Sequence, residues 1–179
     1  RFRRECVIEA VLVFIDVAIL GFSYTRFQFS NFAHVLITLF FTLHLIGALY
    51  TYAETPVGFW LQPLFDFERN HYDRIVHFSF GLLIAYPFRE FLLRQVQVKK
   101  QWSYFLALAM ILAFSAFYEL MEVAVALTVS PELGNAYLGT QGDEWDAEKD
   151  SLLAFIGAIV AMLLNWLYLN LTKPPAGNA

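Results

Sequence analysis

Residues 32–52 read FAHVLITLFFTLHLIGALYTY, a run without one charged side chain. A membrane-spanning helix needs about 20 apolar residues, because the hydrocarbon layer is roughly 30 Å thick and each helical residue rises about 1.5 Å. This run meets that length. Residues 151–172, SLLAFIGAIVAMLLNWLYLNLT, repeat the pattern near the other end of the chain. Segments 73–93 and 102–128 are also long enough, with ionisable residues toward their ends. A fifth segment, 7–24, is the weakest, since it holds Glu9 and Asp16, seven apart and so on one helical face. The expected fold is all-α: one polytopic transmembrane helix bundle over 1–179, with about five spanning helices.

Composition leads to the same solvent. The chain is 59% hydrophobic and 16% charged, against roughly 25% charged in a soluble domain. Its mean hydropathy is +0.53. A water-soluble fold of this make-up would leave its apolar surface uncovered, so the lipid bilayer is the expected partner. Net charge of -4 argues against nucleic acid, whose phosphates demand a basic surface. The single Cys6 has no internal disulfide partner and is read as packing. The chain opens at Arg1 rather than Met, so part of the natural N-terminus is expected to precede it, and nothing in it reads as a signal peptide.

Cytoplasmic loops are enriched in Lys and Arg. Arg89, Arg94, Lys99 and Lys100 surround the connection after the third span, and Lys173 follows the last on the same side. The opposite loops hold Glu54, Asp66, Glu68, Glu132, Asp143, Glu144, Asp146 and Glu148, and are expected to face outward. Five spans put the N-terminus on that acidic side, against the preference of Arg1, Arg3 and Arg4. A re-entrant or interfacial first segment reconciles the two, and Glu9 with Asp16 fits that reading.

Up-and-down helix order brings four helix ends to one face: the end of the second, the start of the third, the end of the fourth and the start of the fifth. Polar residues gather at these ends. His44, Tyr50 and Tyr52 lie late in the second. Asp73, His77 and Gly81 follow one another at i, i+4, so a carboxylate and an imidazole share a stripe above a glycine that permits close helix approach. Tyr118, Glu119 and Glu122 lie late in the fourth. Asp143, Asp146 and Asp150 would form an acidic ladder if helix begins near Asp143. Ala154, Gly157, Ala158 and Ala161 below it make a small-residue seam suited to tight packing in lipid.

Holding ions at membrane depth costs at least about 2.5–3.5 kcal/mol each on insertion scales, so these groups need partners or a wet cavity. The functional reading assembles Asp73, His77, Glu119, Asp146 and Asp150 as a polar, candidate catalytic site. Arg74, His44, Tyr118, Glu122 and Trp145 would then serve substrate binding. His77, Asp73, Glu119 and Asp146 are ordinary donors for a divalent metal ion such as zinc or manganese. The structural reading has Arg74 and His77 neutralise the acids and lock the helices. His34 and His44, on apolar stretches, fit hydrogen bonds to neighbouring helices. Trp60, Trp102, Trp145 and the tyrosines near helix ends, Tyr50 and Tyr52 among them, fit interfacial belts, and residues 58–65 fit a segment lying along the outer membrane surface.

The stretches LHLIGALYTY (43–52), RNHYDRIVHF (69–78), Tyr118-Glu119, and Trp145-Asp146 followed by Asp150 resemble the YjdF family of bacterial inner-membrane proteins. The likeness runs from about Asn31 to the last helix. More distantly the chain looks like VanZ, the membrane protein associated with low-level glycopeptide resistance, whose Asp-basic-x-x-His opening and later Glu and Asp-x-x-x-Asp correspond to Asp73, Arg74, His77, Glu119, Asp146 and Asp150. The resemblance implies the bacterial inner membrane and a cell-envelope role, and supplies no reaction. It also implies a histidine where Leu49 stands here, which removes one contributor from a metal site.

Three functions follow. In the first, an outward-facing pocket binds or modifies an amphipathic or lipid-linked envelope molecule, with His77 and the carboxylates as acid and base. The second is an ion- or proton-coupled carrier, for which five helices without a repeat are a poor alternating-access frame. The third is a non-catalytic structural or assembly protein.

Overall fold

The computed structural model describes residues 26–172, together with Ala18 and Gly21. The expected first span, with Glu9 and Asp16, lies outside the described residues, as do Cys6 and Lys173. Among the described residues there are six α-helices and no strand: α1 (Asn31–Leu49), α2 (Pro56–Phe65), α3 (Tyr72–Phe91), α4 (Lys100–Ala126), α5 (Pro131–Leu138) and α6 (Asp146–Leu171). A π-helical turn, Leu92–Val96, prolongs α3. Four are long and apolar enough to cross a membrane, namely α1, α3 with its extension, α4 and α6. Helices satisfy their interior backbone groups within their own segment, which hydrocarbon requires.

The central helix is α3, packed against α1, α4 and α6. Half of its most apolar window (50%) is buried, against 22%, 17% and 22% in α1, α4 and α6, so the other three turn most of their surface to lipid. Its closest neighbour is α6. A Cβ on Gly81 would fall on the Ala154 carbonyl oxygen, and one on Gly157 would fall on the Phe78 carbonyl oxygen. Backbone therefore meets backbone along the expected seam, with Ala154 and Ala158 fully buried. Such proximity gains dispersion contacts, the main attraction left between helices when the solvent is itself apolar.

Helix ends depart from the hydropathy reading in instructive ways. Ser30 caps α1 by accepting from the Ala33 amide at 3.2 Å. Its own amide and hydroxyl donate to the two carboxylate oxygens of Glu90 at 2.7 and 2.6 Å, and Arg94 pairs with Glu90 from the π-helical turn. The apolar run 32–52 stops being helical at Leu49, because Thr51 (φ 54°) and Tyr52 (φ 51°) are left-handed. Tyr52 folds back until its ring fills the space beside Gly47 and its hydroxyl meets His44 Nδ1 at 2.6 Å. It is buried rather than interfacial. Helix α6 starts at Asp146, five residues before its apolar run, and its first-turn acids Asp146 and Glu148 suit the positive end of the helix dipole. Asp143 stays in the preceding loop, so the expected ladder contains only Asp146 and Asp150.

Short helix α2 begins at Pro56 and ends at left-handed Asp66. It exposes Trp60, Leu64 and Phe65, a surface of the kind that lies in a membrane interface. Trp102 and Trp145 are likewise exposed.

Candidate functional site

Asn70 ties the polar end of the bundle together. Fully buried, it donates to the Thr55 carbonyl at 3.0 Å and accepts from the Tyr72 amide at 3.0 Å. Gln141 binds its backbone reciprocally, at 3.0 and 2.9 Å. Gly58 leaves room for the Asn70 amide, where a Cβ would overlap it. Asn70 thus fixes the start of α3 against the Thr55 cap of α2 through its side chain, and against the loop that leads into α6 through its backbone.

Two polar clusters sit on this frame. The first is ionic. Asp146 accepts from Arg69 Nη1 at 2.7 Å and faces Arg74 Nη2 at 3.4 Å. Arg69 also donates to the Thr140 carbonyl at 3.0 Å and lies 3.6 Å from Asp143. Arg74 pairs with Asp143, which accepts in addition from Lys149 Nζ at 2.7 Å and from the Trp145 amide at 3.1 Å. The sequence carries no periodic signal for Arg69, because it precedes the helix and its direction depends on the loop. Beside it His71 lies edge-on to Phe67, and burial first, then Arg74 and Arg69, hold its pKa below the usual imidazole value.

Lys149, Trp145 and Arg74 together hold the Asp143 pKa down to about 2, the Lys149 hydrogen bond contributing most. A depressed carboxylate stabilises the folded loop above its ordinary value of 3.8, and that contribution disappears as pH falls from there toward 2. Trp145 emission, followed with the other tryptophans replaced by Phe, should therefore stay constant above about pH 4 and change only below it. A transition centred above pH 5 would contradict the pairing.

The second cluster surrounds His77. Its Nε2 lies 3.3 Å from Glu119 Oε1 and 3.6 Å from Asp73 Oδ1. On the ring's other side Nδ1 is 3.3 Å from Ser115 Oγ. Ligand atoms of Asp73, His77 and Asp150 all lie within 4.8 Å of one another. Tyr118 stands edge-on between the two histidines, 6.0 Å from His77 and 5.8 Å from His44 by ring centroids.

Of the residues expected to converge, Asp73, His77, Glu119 and Asp150 meet, with His44 and Tyr118 alongside. Among the expected metal ligands, Asp146 instead faces the two arginines and Asp150 takes the place beside Asp73 and His77. Arg74 likewise serves the ionic cluster. Glu122 is buried on α4, and Trp145 is 63% exposed, joining the site only through its amide.

A cavity of about 480 Å³ opens from this cluster along α3, between α1 and α4. His44, Tyr52, Asp73, His77 and Tyr118 form its polar end, and the remainder is apolar, mostly aromatic, reaching Pro87 and Phe88. From Asp73 to Phe88 the helical rise gives it a length of about 22 Å.

The family described as "Predicted membrane protein (DUF2238)" matches residues 1–171. The chain belongs to this family of membrane proteins. A DUF2238 assignment over nearly the whole length agrees with the four long apolar helices, and the chain is an integral membrane protein. It is 36% identical over 158 residues to the "Inner membrane protein YjdF" of Escherichia coli (strain K12), covering 88% of this chain and 75% of that protein. No solved structure gives a significant match.

Proposed function

We propose that this DUF2238 protein binds one amphipathic or lipid-linked molecule of the cell envelope in the α1–α3–α4 cavity, its apolar part along α3 and its polar group against His77, Asp73 and His44. The cavity carries this reading. Its volume falls within the roughly 300–1,000 Å³ of small-molecule sites, and its polar groups are confined to one end while aromatic side chains line the rest. A hydrophilic solute would leave the aromatic walls unmatched, and a hydrocarbon would leave two imidazoles and a carboxylate unmatched. The relative's inner-membrane name and the basic residues at the far end of α3 support an inner-membrane location with the polar end outward.

His77 is the group suited to chemistry. Ser115 holds one ring nitrogen and the other faces carboxylates, the arrangement that lets an imidazole take up or release a proton at a bound polar group. The ionic cluster supports a second, structural role beside this one, because Asp143 and Asp146 already have cations.

Filling the cavity tests the reading. Native mass spectrometry of the full chain released from detergent should show one retained amphiphile. Combining Ile37→Trp with Phe114→Trp should weaken amphiphile binding by about tenfold, equivalent to about 1.4 kcal/mol, and lower the retained fraction accordingly. Equal retention in the wild-type and filled proteins would reject the cavity as the binding site.

A further inference from the structure

Asp150 is 1% exposed, and its Oδ1 has no hydrogen-bond partner. A carboxylate so withdrawn from water is costly unless something positive meets it. The nearby guanidinium groups bond other acceptors, Arg69 Nη1 with Asp146 and the Thr140 carbonyl, Arg74 Nη2 with Asp143 and Asp146. What Asp150 does face is Asp73 and His77, each with a ligand atom within 4.8 Å of the others. Two carboxylates and an imidazole in that space repel or compete for protons unless a cation joins them.

The imidazole is oriented for this. Ser115 Oγ, 3.3 Å from Nδ1, can accept its proton, which leaves the Nε2 lone pair on the side of the acids. Glu119 stands beside the same nitrogen at 3.3 Å, a further oxygen within reach. We propose that Asp73, His77 and Asp150 hold a divalent transition-metal ion, of the zinc or manganese class that mixed imidazole and carboxylate donors select. Asp73 and His77 also line the polar end of the cavity, so the ion would be reached from it. Resting on the cavity reading, this narrows the ligand to one with an anionic oxygen head group, a phosphate or carboxylate.

The test uses the full chain purified in detergent without chelator. Elemental analysis should find about one zinc or manganese per chain. After EDTA stripping, ZnCl2 or MnCl2 alone should raise the Tm by several degrees, because an ion that binds only the folded state stabilises it by mass action. Asp150→Asn should weaken that binding by at least about tenfold, while Glu132→Gln, in α5, which supplies none of the proposed ligands, should leave it unchanged. Should Asp150→Asn fail to fold, CoCl2 added to stripped wild-type protein gives an independent reading, with visible d–d absorption saturating at one equivalent. Metal-free protein whose Tm ignores millimolar ZnCl2 and MnCl2 and which develops no cobalt absorption overturns the proposal. The Ile37→Trp, Phe114→Trp protein keeps all three ligands, so it should bind the ion while losing the amphiphile. Amphiphile retention without metal in wild type would end the cation site and leave the cavity reading standing.

Discussion

Replacing Gly157 with leucine should drive α3 and α6 apart and leave little folded protein. A Cβ at this position already meets the Phe78 carbonyl oxygen and the Leu82 amide. Both are backbone atoms of a central helix that packs on three neighbours, so no rotamer change can relieve the overlap. Overpacking a well-packed site costs about 1–3 kcal/mol. Here the loss should reach the upper end or exceed it, because separating the helices also forfeits contacts of the whole Gly81, Ala154, Gly157 and Ala158 seam. Gly157→Ala should be measurably destabilised as well. Leu164→Ala, on the exposed side of the same helix, should change stability by much less. Reversible unfolding in mixed detergent micelles would measure all three. Equal stability of Gly157→Leu and wild type would mean that α3 and α6 do not pack as described.

Asp146→Ala should be the most damaging loss among the acidic residues. It removes the acceptor held by Arg69 at 2.7 Å and faced by Arg74 at 3.4 Å, with the Arg69 and Asp146 side chains 12% and 7% exposed. Breaking a buried pair by deleting one partner costs about 3–5 kcal/mol, because the other charge is stranded. Asp143 shares both arginines, so the lower end, about 3 kcal/mol, is expected. Adding Arg69→Met to Asp146→Ala should recover part of this, since a charge removed with its partner strands less. Asp150→Asn lies one turn away and has no arginine pair, and should cost clearly less. The same unfolding measurement decides: a loss below about 1 kcal/mol for Asp146→Ala would place the pair in water-like surroundings.

Asp146 and Asp150 show where sequence reasoning stopped. Both stand in one Asp-x-x-x-Asp pattern, and both were expected in one site. The structure divides them, Asp146 to the arginines and Asp150 to His77. One helical turn displaces a side chain by about 5.4 Å along the axis, enough to change its neighbours altogether. Which neighbours it meets depends on α3, whose Arg74 and His77 are themselves almost a turn apart. The two ladders are thus in register, basic opposite acidic and imidazole opposite carboxylate, but only the docking of α3 on α6 sets that register. Tyr52 is a similar case. Its place at the end of an apolar run reads as interfacial, yet two left-handed residues turn it inward onto Gly47 and His44.

By itself the sequence determined the solvent, the four described spans and the side of each helix on which small and ionisable residues fall. These follow from local quantities: the length of apolar runs against the bilayer thickness and the 3.6-residue period. The Gly81 and Gly157 seam and the Asp73–His77 stripe were legible for that reason. Tertiary structure alone decided which acid meets which cation, that Arg69 joins them, and that a cavity with one polar end opens between α1 and α4. Periodicity gives each helix its face but not its rotation or height against the next, and those are set by backbone contacts and loop turns between residues far apart in the chain.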